Sequence, residues 1–318
     1  MIASRSGLQD ISRRAVLLGA TAIAAAAVPA LRSRAQSGPH RFKVGEAEIT
    51  VLSDGMMSAP LGWVLPGRDR AEIAGALAAS GRTLEGEALP LQVNVTLVRH
   101  GAQLILIDAG GGPDFAPQRG KLVDNLGKAG VQPEAITGVV FTHAHPDHFW
   151  GVIDPLDGSS LFTKARHFMP AAERDYWLKP GVETSVPEAM RGSAVGTQRR
   201  LKELGDKVET FKPGVELLPG LAAVDTAGHT PGHVAIHLRS GTGELMIGGD
   251  ALTEASISFA RPDWKWGADW DADRGVATRK RLLDRLATDK IPLVGYHLPW
   301  PGAGRVERAA GTYRFVPA

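Results

Sequence analysis

The chain has 318 residues, 43% hydrophobic and 22% charged, which is ordinary for a soluble globular protein and enough for one large domain or two small ones. Its formal charge of +2 is unevenly placed: residues 1–35 carry five arginines against Asp10 alone, leaving 31 basic against 33 acidic side chains in the rest, so the remainder has no basic footprint for nucleic acid. There is no cysteine, which excludes disulfides, thiolate catalysis and any metal site built on sulfur.

Ser12-Arg13-Arg14-Ala15-Val16-Leu17-Leu18 opens an uncharged, Ala-rich stretch from Ala15 to Leu31, followed by Ser33-Arg34-Ala35. A basic start, an apolar middle and a small-x-small end read as a signal peptide over residues 1–36, cleaved near Ala35. The paired arginines resemble a twin-arginine signal, which implies export of the folded protein by that machinery to the periplasm or beyond. The stretch falls short of the ~20 apolar residues that span a bilayer, and Pro29 interrupts it, so no stable membrane insertion is expected after cleavage. Residues 37–318 are expected to form one domain, without a composition break, repeat or low-complexity tract.

Along that domain, Phe42, Val44, Ile49 and Val51 predict a strand pair between His40 and Leu52. Asp54 to Pro90 is mixed, with a short helical stripe at Ile73, Ala74 and Leu77; it is either a lid or a packed surface excursion. Leu91–Val98 and Gln103–Ile107 predict a hairpin, its second arm ending in Asp108-Ala109-Gly110-Gly111-Gly112. Leu122, Val123, Leu126 and Ala129 give one helix face closed by Gly130. Gly138–Thr142 reads as a short buried strand. Residues 170–206 read as helix in two pieces, broken at Pro180-Gly181 and Pro187. Strands return from Val208 to Gly249, a helix carries Val276, Arg279, Leu283 and Leu286, and Ile291–Gly295 is expected to be the final buried strand. Sheets covered by helices follow.

The buried strand runs into His143-Ala144-His145-Pro146-Asp147-His148. Three of the chain's ten histidines and an aspartate lie within six positions. Imidazole nitrogen and carboxylate oxygen suit Zn²⁺ and similar divalent ions. Alternate residues of an extended segment point the same way, so His143 and His145 can grip one ion. Asp147 and His148 lie past Pro146, where the chain must turn, and can face a second.

This HxHxDH run resembles the signature of the metallo-β-lactamase superfamily. Other pieces occur in matching order: Asp108 in Ile-Asp-Ala-Gly, His229 in Ala-Gly-His-Thr-Pro-Gly-His, Asp250 in Ile-Gly-Gly-Asp-Ala and His297 in Gly-Tyr-His. The resemblance covers residues 40–318 and implies an α/β fold, a four-layer αβ/βα sandwich. It implies that His143, His145 and His229 hold one metal, that Asp147, His148 and His297 hold another, and that Asp250 bridges both. Asp108 is expected to orient a ligand histidine. His233 is read as structural, and His40, His100, His167 and His237 as ordinary. The tail, from His297-Leu-Pro-Trp-Pro-Gly-Ala-Gly to Gly311-Thr-Tyr-Arg-Phe-Val-Pro317, resembles the methyl parathion hydrolase-like branch, as does Asp175-Tyr176-Trp177-Leu178. That branch contains organophosphate hydrolases, lactonases and aryl esterases.

The resemblance implies a hydrolase in which two divalent ions, zinc first with manganese, cobalt or iron as substitutes, share and activate one water as the nucleophile. Asp147 and Asp250 are the catalytic carboxylates of that scheme, and the bond cleaved is an ester, a lactone or a phosphotriester. Trp177, Trp63 and Phe149 are expected to shape the pocket for a small-molecule substrate, with Trp150, Trp264, Trp266 and Trp300 as weaker candidates. A histidine-rich β-lactamase is the nearest rival, opposed by Asp250, because that type lacks the bridging carboxylate. A glyoxalase-type thioesterase and an iron redox enzyme are further rivals, and the non-enzyme alternative is a metal-loaded binding protein. A homodimer is compatible with the aromatic content.

Overall fold

The computed structural model describes residues 38–115 and 120–318; the expected signal peptide lies outside the described residues. Two seven-stranded sheets organise them. The first holds β1 (His40–Val44), β2 (Ala47–Pro60), β3 (Ala88–His100), β4 (Gln103–Ile107), β5 (Gly138–Val140), β6 (Arg166–Pro170) and β7 (Val208–Phe211) in sequential order. Neighbours are antiparallel up to β4 and parallel from β4 to β7. The second holds β8 (Glu216–Leu218), β9 (Leu221–Asp225), β10 (Val234–Ser240), β11 (Gly243–Ile247), β12 (Leu293–Val294), β13 (Ala303–Ala309) and β14 (Thr312–Pro317), again in sequential order. Only β11 and β12 pair parallel there.

Helices fill the connections. α1 (Leu61–Val64) and α2 (Arg70–Ala78) separate β2 from β3, and α3 (Leu122–Lys128) joins β4 to β5. α4 (Pro146–Phe149) follows β5, while α5 (Ala171–Trp177) and α6 (Arg191–Leu204) join β6 to β7. α7 (Ala255–Ser258) and α8 (Ala272–Asp289) lie between β11 and β12. No described helix is long and apolar enough to cross a membrane.

Side-chain alternation sets the layers. In β4, Ile105 and Ile107 join Ile236, Leu245 and Ile247 between the sheets. Leu104 and Leu106 join Leu122, Leu126 and Leu201 under the helices of the first sheet. The solid apolar run of β4 is thus a strand buried on both faces. On the far side α8 buries Thr278, Arg279, Leu282, Leu283 and Leu286 at helical spacing, and its leucines pack with Met246 and Leu293. Asp271 caps it by accepting the Arg274 N–H at 3.0 Å. The layers run helices, sheet, sheet, helices: the αβ/βα sandwich expected from sequence.

Two boundaries differ from that expectation. β2 continues to Pro60, through residues expected to be irregular, because a bulge between Ser53 and Gly55 absorbs Asp54 without ending the pairing. The segment Ile291–Gly295 is not the final strand: its paired part is the two-residue β12, and the hairpin β13–β14 follows. Charge masks that hairpin, since Glu307 accepts from Arg305 at 2.9 Å and from Arg314 at 3.0 Å on its exposed face.

The segment between β2 and β3 has a small core of its own. Val64, Leu65, Ile73 and Leu77 pack with Leu91, Ile257, Trp264, Trp266 and Ala268. The Gly267 N–H donates to Val64 O at 2.8 Å, and a Cβ at Gly267 would collide with the Trp63 carbonyl. Glycine permits that close approach. Arg82 adds an ion pair with buried Glu254.

Candidate metal centre

Strand ends deliver the ligands. His145 is extended and Pro146 occupies the first turn of α4, as the residue before proline and proline at a helix start both favour. The chain therefore turns after His145, and Asp147 and His148 rise from a helical turn beside the extended His143–His145 pair. His229 comes from the loop after β9, Asp250 follows β11 and His297 follows β12.

These seven residues converge and are all buried. His143, His145, His229 and Asp250 place one ligand atom each within 4.8 Å of one another, and Asp147, His148 and His297 do the same. Asp250 lies between the groups: Oδ1 is 3.1 Å from His148 Nε2, and Oδ2 is 3.2 Å from both His229 Nε2 and His297 Nε2. Asp147 Oδ2 is 3.3 Å from His297 Nε2.

Most of the histidines are held by the nitrogen that faces away. His148 Nδ1 meets Asp108 Oδ2 at 2.8 Å, His229 Nδ1 meets Asp269 Oδ1 at 2.9 Å, and His297 Nδ1 meets Gln92 O at 2.6 Å. His143 Nδ1 is 3.1 Å from Thr142 Oγ1. Asp108 also accepts from the Thr142 N–H and hydroxyl at 2.7 and 2.8 Å, which fixes it beneath the cluster. Each such contact sets a ring's orientation and leaves the other nitrogen to the centre. His145 differs: its Nδ1 lies 2.9 Å from His229 Nε2. His233 sits outside the cluster, its Nε2 accepting the Asp250 N–H at 2.9 Å and its Nδ1 within 2.8 Å of Thr226 Oγ1.

The donor set fits divalent ions. His143 Nε2, His148 Nε2, Asp147 Oδ2 and Asp250 Oδ1 are buried without an aligned hydrogen bond, an expensive arrangement unless a cation completes it. The electrostatics point the same way. Burial alone would raise the Asp250 carboxyl, but His297, His148 and His229 outweigh it and hold the group well below its ordinary value. Burial would lower His229 and His297, yet the carboxylates around them push both up to about 9. His145 goes the other way, to about 3, through burial and the neighbouring His229. The carboxylates thus draw positive charge toward the centre of the cluster.

Several supports had no local signal in the sequence. Asp269 lies 40 residues from His229 and is anchored by a buried ion pair with Arg279 at 3.2 Å. Tyr296 stacks on His148, ring centroids 3.7 Å apart, and donates to Asp147 O at 2.7 Å. Asp269→Asn keeps the shape but drops the charge, and is expected to weaken metal affinity about tenfold to a hundredfold. Competition with a chelator measures it; unchanged affinity would reduce Asp269 to a packing role.

A narrow cleft opens on the cluster, walled by Met57, Trp63, Val64, Leu91, Trp266 and Ala268 with Thr253. Trp63, one of the expected pocket residues, lines this cleft. Trp177 and Phe149 are not in the cleft. Trp177 is buried behind His145, edge to face at 5.9 Å, its indole N–H spent on Glu173. Phe149 lies in the core under the first sheet, against Phe141. Both follow ligand-bearing or helical segments closely, and their side chains turn inward to fill the core rather than outward to the mouth.

Paired His/Asp groups at the strand ends of an αβ/βα sandwich mark a metal-dependent hydrolase scaffold. The chain belongs to the metallo-beta-lactamase superfamily, whose family profile matches residues 88–296. It is similar to AidC, a dizinc quorum-quenching lactonase solved in complex with the product N-hexanoyl-L-homoserine: 30% identity, 89% of this chain and 98% of that one covered, TM-score 0.82. It is also similar to the hydrolase AbOPH of the beta lactamase superfamily, at 27% identity, with 90% and 99% covered and a TM-score of 0.82. The uncharacterized protein YobT of Bacillus subtilis (strain 168) is 28% identical over 202 residues, 61% of this chain and 78% of that one.

Proposed function

We propose that this protein is a dinuclear metal-dependent hydrolase of esters, lactones or phosphotriesters that carry a neutral, apolar group. The observation that carries the reading is the placement of Asp250, whose two oxygens reach histidines of both ligand groups. In this reading His143, His145 and His229 hold one ion, Asp147, His148 and His297 the other, and Asp250 joins them. When bound, the ions activate water as a nucleophile and polarise the oxygen that gains charge.

The chain's own residues supply the rest. Asp147 Oδ2, 3.3 Å from His297 Nε2 and turned to the centre, is placed to orient the attacking water. The apolar walls exclude bulk water and seat the acyl, alkyl or aryl portion of the substrate. Apart from the candidate ligands, no charged side chain among the described residues lines the cleft, which disfavours charged thioester conjugates. Among the described residues that line it, apart from the candidate ligands, the donors are the Thr253 hydroxyl and indole N–H groups, none of them an acid, and the Tyr296 hydroxyl is committed to Asp147 O. That suits leaving groups such as phenolates or ring-opened lactone alkoxides better than amines. The likeness to a dizinc lactonase over nearly the whole chain supports the same reading, with zinc as the proposed metal. Export to the periplasm belongs to the proposal through residues 1–36 of the sequence alone.

The test is a panel of aryl esters, acyl-homoserine lactones, methyl parathion and nitrocefin, run with purified protein of known metal content. Metal-dependent turnover of at least one of the first three is expected. Enzyme-like turnover of nitrocefin alone would replace the proposal with a β-lactamase, and silence on every substrate by a fully loaded protein would replace it with a binding function.

A further inference from the structure

Glu173 is a buried carboxylate with no part in the reaction just described. It lies in the first turn of α5 and is fully enclosed. Its Oε1 accepts the Ala144 N–H at 3.0 Å and the Trp177 indole N–H at 2.6 Å, and its Oε2 accepts the Gly232 N–H at 3.0 Å. Ala144 separates His143 from His145, and Gly232 lies three residues beyond His229. One side chain therefore spans the two loops that carry the three histidines of the first group.

Three further contacts make this a built arrangement. The Ala144 carbonyl accepts from Thr197 Oγ1 at 3.0 Å, so the peptide between His143 and His145 is held from α5 and from α6. Thr197 in turn accepts the Trp150 indole N–H at 2.9 Å. A Cβ at Gly232 would collide with the backbone of Glu173, so the His229 loop and α5 meet backbone to backbone. Three N–H groups donate to the two carboxylate oxygens, and the Thr230 side chain joins them; burial raises the carboxyl, and these four contacts work against that rise.

We propose that Glu173 is a positioning residue for the His143, His145 and His229 group. By fixing the separation of the two loops it sets that group's affinity for a divalent ion, without touching ion or substrate. The second group is tied elsewhere, to Asp108, Gln92 and Tyr296, through contacts that do not include Glu173. The inference rests on reading the cluster as two metal sites and is indifferent to which bond is cleaved.

The experiment is Zn²⁺ titration of the metal-free full chain against a competing chelator, with Co²⁺ absorption spectra alongside. Glu173→Gln retains the shape but turns an amide donor toward one of the N–H groups. It is expected to weaken one of the two ions about tenfold to a hundredfold, to leave the other unchanged, and to alter the Co²⁺ bands of the weakened ion alone. Glu173→Asp, which restores the charge with a shorter reach, is expected to recover part of the loss. Equal affinities in Glu173→Gln and wild type, or an equal fall for both ions, would each overturn the proposal. A wild type that loads two ions yet hydrolyses nothing would sink the proposed reaction and leave this inference standing.

Discussion

Asp250→Ala is expected to lower kcat/KM on any accepted substrate by about three orders of magnitude, ~4 kcal/mol of transition-state stabilisation. One carboxylate makes contacts of 3.1, 3.2 and 3.2 Å to His148, His229 and His297, and among the described residues no other carboxylate forms ion-pair contacts with histidines of both ligand groups. Truncation removes the join between the groups and leaves three buried imidazoles facing one another. Metal content is expected to fall with activity. Asp250→Asn retains the volume without the charge and is expected to lie between the two. Kinetics with metal quantification on the same preparations provide the check. Wild-type turnover in an alanine variant that has lost metal would remove Asp250 from the mechanism and the dinuclear scheme with it.

The second large effect is on pH. Burial lowers His229 and His297, but Asp250, with Asp269 for the first and Asp147 for the second, outweighs it and raises both from 6.5 to about 9 in the metal-free protein. A raised folded-state value means that the stabilising contribution is complete below about pH 6.5 and is lost as the pH rises through about 9. The metal-free chain is therefore expected to lose thermal stability across that window, and added metal to restore it most strongly at the upper end. Metal binding needs neutral imidazole, so uptake releases these protons. Apparent affinity is expected to rise about tenfold per pH unit for each proton released, and the share of that slope due to His229 and His297 to end near pH 9. Chelator competition and melting curves at several pH values between these limits measure both effects. A flat affinity profile would show that the histidines are not the groups that the metal displaces.

Much of this was legible before any coordinates. The layered fold follows from β4, whose Ile105/Ile107 and Leu104/Leu106 faces are both apolar, and from the helical spacing of α8. The metal cluster was legible because HxHxDH is local and because His229, Asp250 and His297 each follow a strand in a recognisable setting. The supports were not, for a physical reason. Glu173 and Asp269 work through partners 29 to 59 and 40 residues away, and a buried carboxylate has no periodicity to betray it. Trp177 shows the converse error. Aromatic residues announce bulk, not direction, and this one spends its bulk bracing His145 from behind. β13 and β14 escaped notice because Arg305, Glu307 and Arg314 crowd one face of the hairpin.

Val64, Leu91, Trp266 and Ala268 wall the cleft and belong to the same small cluster that stiffens α1 and α2. The candidate ligands hang instead from the ends of the two central sheets. Taste and reactivity are thus separable inheritances in this molecule. Substitutions that enlarge the mouth are expected to loosen that small cluster while sparing the candidate ligands below. On the proposed function, new substrates would be reached by trading local rigidity, not by rebuilding the ligand set.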